Sequence, residues 1–451
     1  MKKVLRIALI VVLLGLAYVI YANYPRLNII AGYSAKNMNS SVFLAHRGFK
    51  YTDETDNNFT PVKFADDTID TITKTTESSV FHLLNRKAVY RDGLGSVLIP
   101  KNAQLPKSFA KPNRIQPKLI ESYPYGNGNH KDTIFLNIDY KLLEAALDSA
   151  FDNKNQQNTR AVLVIYKNHI VAERYASGFD KHSLFLGWSM AKSITGTLFG
   201  ILQYQGKLDI NNTPKISEWQ HDGRSKITIR NLLNMNSGLA WEENYETISD
   251  VTKMLFMTDD MTKTQIEKKM VGKPDSSWNY SSGTSNLLSG VLRHQFKTHQ
   301  EYLDFWYTAL IDKIGMYSMV VETDFSGNYV GSSYAWATAR DWGKFGLLYL
   351  NKGNYNGEQL FDKKWIDFVT TPTPTSDGKF GGHFWLNANG QFSDAPKDMF
   401  SANGYQGQRV FILPSQDMVI TEKPYRYSLF FSSKLLYPSV YFVFVGITGA
   451  S

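Results

Sequence analysis

A serine and a lysine three residues apart, at the start of an apolar helix pattern, carry the clearest chemical signal in the sequence. Ser189 precedes Lys192 within the segment 184–196, and residues at that spacing share one face of a helix. The lysine amine can then reach the serine hydroxyl. A helix N-terminus also offers unpaired backbone N–H groups, which favour negative charge developing nearby. The pair predicts a nucleophile, Ser189, with Lys192 as its base, although a capped helix with a solvated lysine has the same pattern.

Length and composition indicate the size of the protein and the kinds of partner it can have. The chain has 451 residues, of which 43% are hydrophobic and 20% charged, so it can bury a large core and is expected to form two or three units. The formal net charge of +8 favours an anionic partner such as a lipid surface or a cell-wall polymer. Because the basic residues are scattered and no nucleic-acid motif accompanies them, we expect no nucleic-acid partner.

The N-terminus predicts export and membrane attachment. Lysines and an arginine precede an uncharged apolar run, Ile7–Ala22, so the N-terminus should stay in the cytoplasm and the rest should lie in the periplasm or outside. Ile20 and Ala22 make a poor cleavage site, which favours an uncleaved signal anchor over residues 1–23. The chain has no cysteine, which fits an oxidising compartment and excludes disulfides and cysteine-based metal sites.

Residues 24–135 are predicted to form a strand-rich N-terminal region and a linker. Apolar alternation over 78–99, with Asp92-Gly93 as a turn signal, predicts strands. His82 falls inside this pattern and is expected to be a packed or surface histidine. The Pro- and Gly-rich stretch 100–129 predicts a linker wrapped over the next domain.

From residue 136 onward the pattern changes to helices alternating with hairpins. Helical spacing over 139–152, with Asn137 or Asp139 as cap, precedes a hairpin formed by 161–166 and 170–175, with His169 exposed at its turn. The Ser189 helix follows. A second hairpin is predicted from 409–413 and 418–421. This order indicates an α+β fold in which helices cover an antiparallel sheet.

Several motifs follow Ser189 and Lys192 in a fixed order. They are Gly206-Lys-Leu-Asp, Ile227-Thr-Ile-Arg-Asn-Leu-Leu, Tyr280-Ser-Ser before a helix, and Thr338-Ala-Arg-Asp before another. With this order the chain resembles the serine β-lactamase and penicillin-binding-protein superfamily, and within it the class C-like serine hydrolases related to 6-aminohexanoate-dimer hydrolase and family VIII esterases. The resemblance covers about residues 136–425. It implies a β-lactamase-like antiparallel sheet flanked by helices, plus a helical subdomain.

The resemblance implies roles for three side chains. Ser189 would be the acylated nucleophile, Lys192 would accept its proton, and Tyr280 would share the base role and later protonate the leaving group. A free lysine has a pKa of about 10.4 and a free tyrosine about 10, so each must be tuned by a partly buried pocket and by the other. Which of the two takes the serine proton stays open, because their titrations are coupled.

The resemblance also implies residues around the substrate. Ser282 would hold Lys192 or cap the following helix. Gly404 would let a strand approach the substrate, and the backbone N–H of Tyr405 would pair with that of Ser189 as an oxyanion hole. Gln408 would border the pocket or be structural, and the further candidate pocket residues are His383 and Trp385.

The third family motif departs from the pattern. Where β-lactamases have Lys-Thr-Gly, this chain has Ala402-Asn403-Gly404, so the cation that helps hold a substrate carboxylate is missing. We therefore expect an exported, membrane-anchored hydrolase of an ester or amide, without metal or organic cofactor. The alternatives are a non-catalytic envelope-binding protein on the same fold, or a true β-lactamase or D,D-carboxypeptidase. The apolar stretch 426–451 is expected to be a tail.

Overall fold

The computed structural model describes residues 2–101, 103–104, 108–115, 121–126, 128, 130–131, 133–152 and 158–425. The chain forms two compact units. The N-terminal unit contains Met1–Arg91, Ser96–Leu105 and Glu242–Asp259, and the larger unit contains Asp92–Gly95, Pro106–Trp241 and Asp260–Ser451. The stretch 242–259 thus lies with the N-terminal unit, although the predicted division placed it in the hydrolase domain. The predicted tail, 426–451, lies outside the described residues.

In the N-terminal unit a long helix lies along a small antiparallel sheet. The helix is α1 (Lys2–Asn39), and the four-stranded sheet has the order β1 (Ala65–Asp70), β2 (Thr75–Val80), β3 (Leu84–Arg91) and β4 (Gly95–Ile99). Short helices α2 (Phe49–Tyr51) and α6 (Asp250–Met257) complete the unit. The strands predicted over 78–99 are confirmed. His82 was expected inside a strand, but it lies in the exposed turn after β2, where its φ of 55° suits a tight hairpin turn.

Helix α1 crosses the predicted boundary at residue 23. The region predicted to be strand-rich from residue 24 begins instead with helix, since residues 24–39 continue α1. The reason is visible in their burial: Ile30, Ala31, Ala35 and Met38 are buried at helical spacing. The apolar side chains before residue 22 are exposed, and the helix is long and apolar enough to cross a membrane.

The larger unit is built on a seven-stranded antiparallel sheet. In spatial order its strands are β12 (Phe380–Gly381), β13 (Phe384–Leu386), β14 (Phe400–Asn403), β15 (Arg409–Leu413), β16 (Met418–Lys423), β5 (Ala161–Tyr166) and β6 (His169–Tyr175). A smaller sheet has the order β7 (Phe185–Leu186), β9 (Ala335–Ala337) and β8 (Val320–Val321), and β10 (Asn354–Tyr355) pairs with β11 (Glu358–Gln359). Both predicted hairpins are confirmed. His169 is half-buried against the Phe135 ring rather than exposed.

Helices cover both faces of this sheet. They are α3 (Tyr140–Phe151), α4 (Met190–Tyr204), α5 (Ile229–Leu233), α7 (Ser282–Arg293), α8 (His299–Trp306), α9 (Ala339–Leu350) and α10 (Lys363–Thr370). One face packs on α3, which Asp139 caps by accepting from two backbone N–H groups. The other face packs on α4 and α9 in the main core. This confirms the predicted arrangement of helices over an antiparallel sheet.

Helix α4 lies at the centre of that core. Almost every residue from Met190 to Leu202 is buried, and its glycines admit bulky neighbours, since a Cβ on Gly200 would lie 2.4 Å from the Trp365 ring. In its described parts, the predicted linker contacts the larger unit: the Arg114 guanidinium pairs with Asp312 at 2.6 Å. Because α4 is packed along its length, the position of its first residues is fixed.

Candidate active site

Ser189 lies at a sharp junction between a strand and a helix. Strand β7 pairs with β9, and the Gly187 N–H continues the pairing to the Ala335 carbonyl at 2.7 Å. Trp188 then turns the chain with a φ of 47°, and Ser189 is the N-cap residue of α4. A left-handed conformation is strained for a tryptophan and persists only where packing holds it. Here the buried Trp188 ring packs edge-on against Tyr405 at 5.4 Å between centroids.

Lys192 follows one turn later and directs its amine to the serine. Its side chain is only 2% exposed, and Nζ lies 2.9 Å from Ser189 Oγ, 2.9 Å from Ser282 Oγ and 2.9 Å from the Ser332 carbonyl oxygen. An ammonium has three protons to donate to these three oxygens. A neutral amine has a lone pair in place of one proton and can instead accept from a hydroxyl. The heavy-atom positions fit both states, as a group that exchanges a proton requires.

The two roles considered for Ser282 are divided between neighbouring serines. Ser281 is the N-cap residue of α7, and its hydroxyl accepts from the Thr284 backbone N–H at 3.0 Å. Ser282 begins the helix, and its buried hydroxyl contacts Lys192. The cap therefore belongs to Ser281, and the structure gives Ser282 the contact with the lysine.

Tyr280 reaches the same place from the loop before α7. Its half-buried ring has its centroid 5.0 Å from Lys192 Nζ. The ring belongs to an aromatic wall formed with Trp278, Phe380 and Trp385, in which the distances from Tyr280 to the other three centroids are 6.5, 5.8 and 5.3 Å. Trp385, expected near the pocket, thus lies in direct contact with Tyr280. Tyr280, distant in sequence, thus comes close to Lys192 and so to the neighbouring Ser189.

The end of β14 lies against the residues that precede Ser189. A Cβ on Gly404 would lie 2.0 Å from the Gly187 carbonyl oxygen, so only glycine fits there. Tyr405 begins a short 3₁₀ turn directly after it. Gln408 is buried and its amide donates to the Pro424 carbonyl. Of the two roles considered for Gln408, this contact favours the structural one.

Sequence reasoning missed the backbone that completes the lysine site. The Ser332 carbonyl accepts from Lys192, the Ser332 N–H donates to Asn286 Oδ1 at 3.1 Å, and Thr195 Oγ1 donates to the Gly331 carbonyl at 2.8 Å. This segment leads into β9, and α9 starts at residue 339 after its N-cap Thr338. The Gly-Ser-Ser run was the available signal, yet residue types do not reveal which carbonyl a lysine will use.

His383, expected as a candidate pocket residue, lies buried behind the site and positions its neighbours. It is buried, with Nδ1 2.7 Å from the Leu233 carbonyl oxygen and Nε2 2.9 Å from Ser285 Oγ, and its own carbonyl accepts from Ser193. Because a carbonyl can only accept, Nδ1 carries the proton and Nε2 accepts from Ser285. Burial lowers the pKa of His383 to about 4, and the nearby Lys192 charge acts in the same direction. His383 thus joins α5 and α7 through its neutral ring, and α4 through its backbone carbonyl, behind the site.

The fold is an antiparallel sheet covered by helices, and a serine, a lysine and a tyrosine lie close together in it. These two features place the chain in a class of hydrolase-like proteins. Residues 147–421, more than half of the chain, match the family model described as Beta-lactamase, and the chain belongs to this family. The predicted resemblance is thereby confirmed. A curated relative, the 6-aminohexanoate-dimer hydrolase of Paenarthrobacter ureafaciens, is 22% identical over 299 residues, covering 58% of this chain and 72% of the relative.

Solved structures share the fold at low identity. A putative 6-aminohexanoate-dimer hydrolase from Bacillus anthracis is 20% identical, with a TM-score of 0.55 over 65% of this chain and 80% of that one. A family VIII carboxylesterase is 13% identical, with a TM-score of 0.55 over 70% and 100% of the two chains. A class C β-lactamase from Rhodobacter sphaeroides is 12% identical, with a TM-score of 0.51 over 68% and 99%. The chain therefore has a mixed α/β, β-lactamase-like fold with antiparallel sheets.

Proposed function

We propose that this protein is an exported, membrane-anchored serine hydrolase that cleaves an ester or amide through an acyl-enzyme on Ser189. The observation that carries the proposal is the 2.9 Å contact between the buried Lys192 Nζ and the Oγ of the half-buried Ser189. The alternative for a Ser-x-x-Lys segment is a capped helix with a solvated lysine. Lys192 is instead 2% exposed and its amine contacts three oxygen atoms. Membership of a hydrolase family agrees with it.

In the first step Ser189 Oγ attacks the acyl carbon and transfers its proton to the pair formed by Lys192 and Tyr280. The pair acts as a unit, because the lysine and the tyrosine ring are in contact and a proton on one changes the affinity of the other for a proton. The same proton passes to the leaving alkoxide or amine as the tetrahedral intermediate collapses. Water then attacks the acyl-enzyme by the reverse sequence and restores the Ser189 hydroxyl.

The negative oxygen of the tetrahedral intermediate would be held by backbone N–H groups of Ser189 and Tyr405. Two features support this pairing. Ser189 is the N-cap residue of a 15-residue helix, whose N-terminus favours negative charge, and the close contact of Gly404 with Gly187 brings the two backbone segments together. Losing one such donor typically costs about a hundredfold or more in turnover. The strained conformation of Trp188 would orient Ser189 towards the substrate.

The walls of the site favour an uncharged, largely apolar substrate. The aromatic wall of Trp278, Tyr280, Phe380 and Trp385 flanks the Lys192 amine. Contact between aromatic rings and apolar groups of a substrate removes both from water and stabilises the complex. The strand that carries a lysine in β-lactamases has Ala402 at the corresponding place. We therefore favour a neutral ester or amide over a carboxylate-bearing β-lactam or peptide.

Attachment to a membrane is the second part of the proposal. Helix α1 offers an exposed apolar stretch long enough to span the hydrocarbon core, and the positive residues before it favour a cytoplasmic N-terminus. The larger unit would then act in the periplasm or outside. A protease-protection assay on intact and opened spheroplasts tests this orientation: cleavage of the larger unit should occur once the outer barrier is removed, while the inner membrane stays closed.

A fluorophosphonate probe tests the acyl-enzyme directly. The unaltered protein should form a covalent adduct and hydrolyse p-nitrophenyl esters, whereas Ser189→Ala should lose the adduct and Lys192→Ala should lose at least about a hundredfold in turnover. Ser217→Ala and Lys207→Ala, at exposed positions, are matched controls that should retain full activity. Near-normal turnover in either active-site variant would refute the assignment.

Two other outcomes would point to the alternatives. An unaltered protein that binds an envelope polymer but forms no adduct with the probe would be a binding protein on the same fold. Rapid hydrolysis of nitrocefin that Ser189→Ala abolishes, with poor activity on simple esters, would identify a true β-lactamase and contradict the preference for neutral substrates. A screen of p-nitrophenyl esters, short amides and linear oligoamides then ranks the remaining substrates.

A further inference from the structure

The N-terminal unit exposes a compact group of apolar side chains at one end of its sheet. This sheet tip consists of Phe81 and Leu83, in the turn between β2 and β3, and Phe64, just before β1; they are 62%, 65% and 47% exposed. The rings of Phe64 and Phe81 lie 6.2 Å apart, so the group forms one surface. Unlike single apolar side chains scattered over a surface, a contiguous exposed apolar patch can mark an interaction site.

Contacts along α1 show which way the sheet tip faces. At the tip end, Ala65, Val80 and Leu84 pack against Ile30 and Ala31. In the middle of the sheet, Asp67 accepts a hydrogen bond from Ser34 at 2.7 Å. At the far end, Asn39 donates to the Lys74 carbonyl at 3.1 Å. The N-terminal direction of α1 therefore runs from the far end towards the tip. The sheet tip faces the side on which the exposed apolar part of α1 emerges.

Helix geometry gives the distance between the tip and that apolar part. Leu27 is the first residue of α1 to pack on the tip end of the sheet, and the apolar run ends at Ala22, which is five residues or about 7.5 Å away along the axis. Exposed Tyr24 lies between them and exposed Tyr21 lies at the end of the apolar run, and aromatic residues at such positions mark a membrane interface. The interfacial layer on each side of a bilayer is about 6 Å thick. The turn 81–83 extends beyond the paired residues Val80 and Leu84 towards this layer, so the tip can reach it.

We propose that the sheet tip inserts into the lipid–water interface of the same bilayer that α1 crosses. The inference rests on the proposed membrane anchor and adds a second contact with lipid. Phe and Leu side chains gain by leaving water at this depth. Lys63, whose Nζ lies 5.6 Å from the centre of the Phe64 ring, is placed to meet lipid phosphates beside the inserted ring. Two contacts, the helix and the tip, would fix the tilt of the N-terminal unit on the membrane.

The cysteine-free chain allows a test with single reporter positions. Val12→Cys lies in the apolar part of α1, Leu83→Cys lies in the sheet tip, and Ile72→Cys lies in the turn at the far end of the same sheet. Ile72 is 92% exposed, so it is a matched control for an apolar side chain on a turn. Each full-length variant is labelled with an environment-sensitive fluorophore and reconstituted into vesicles of phosphatidylcholine and phosphatidylglycerol.

The expected result is a shift of emission to shorter wavelength at Val12→Cys and Leu83→Cys, with quenching by lipid-attached quenchers that is deeper at Val12→Cys, and water-like emission at Ile72→Cys. A shift at Val12→Cys while Leu83→Cys behaves like Ile72→Cys would overturn the tip contact and leave the anchor intact. Water-like emission at all three would refute the anchor and the tip contact together. A Leu83→Cys shift that grows with the protein-to-lipid ratio would assign the tip to a second copy of the chain and overturn the lipid contact.

Discussion

Acidification should destabilise the larger unit through His383. In the folded protein burial holds the pKa of this histidine at about 4, and an unfolded histidine has a pKa near 6.5. Because the folded value is the lower one, the stabilising contribution is complete above pH 6.5 and is lost as the pH falls towards 4. Linkage then gives a loss of about 2 kcal/mol in the free energy of unfolding at pH 5 and about 3 kcal/mol at pH 4.

The comparison variant is His383→Asn. The φ of His383 is 64°, and asparagine tolerates this left-handed conformation better than most residues. The variant loses the Ser285 contact and is less stable at every pH, but it cannot contribute the pH-dependent part. Asp324, whose pKa burial raises to about 7, acts in the opposite direction, and its effect cancels because both proteins contain it. His182→Asn, at an exposed position, controls for loss of an ordinary histidine.

Urea unfolding in mild detergent at pH 7.5, 6 and 5, followed by tryptophan fluorescence, measures the effect. The nine tryptophans all lie between residues 188 and 385 and outside 242–259, so the signal reports the larger unit. Between pH 7.5 and 5 the unaltered protein should lose about 2 kcal/mol more than His383→Asn. Equal losses in the two proteins would show that His383 is not kept neutral by burial, and the positioning role assigned to it would fail.

Three substitutions test the geometry of the site. Tyr280→Phe keeps the aromatic wall but removes the phenol, so turnover should fall about a hundredfold or more while the protein folds normally. Ser282→Ala removes one of three oxygens around the Lys192 amine, and we expect a smaller fall of about tenfold in kcat with little change in KM. Gly404→Ala places a Cβ 2.0 Å from the Gly187 carbonyl oxygen, so it should cost about 1–3 kcal/mol of stability and most of the activity.

Each substitution has a matched control in the same chain. Tyr204→Phe removes an exposed phenol, Ser217→Ala removes an exposed hydroxyl, and Gly48→Ala adds a Cβ whose nearest neighbour would be 4.0 Å away at an ordinary φ of −63°. Steady-state kinetics on a p-nitrophenyl ester and thermal unfolding report all six variants. A fully active Tyr280→Phe protein would remove the phenol from the mechanism, and a fully active Gly404→Ala protein would contradict the close approach of the strand.

Local patterns in the sequence were sufficient for the main elements of the larger unit. Helical spacing predicted α3, with Asn137 or Asp139 as its cap, and the structure shows Asp139. Alternation with turn residues predicted the hairpins of β5 with β6 and β15 with β16. These signals work because each depends on residues a few positions apart. The same reasoning failed for α1 beyond residue 23, because the apolar face of those residues packs against strands that lie later in the chain.

The sequence by itself identified the side chains that we propose to react: a serine and a lysine one helical turn apart, and a tyrosine just before α7. Only the tertiary structure decided how they are held. The Ser332 carbonyl on Lys192, the left-handed turn at Trp188 and the neutral His383 behind the site all depend on contacts between segments tens to hundreds of residues apart. Residue types encode reactivity locally, whereas orientation, burial and protonation arise from neighbours that only folding brings together.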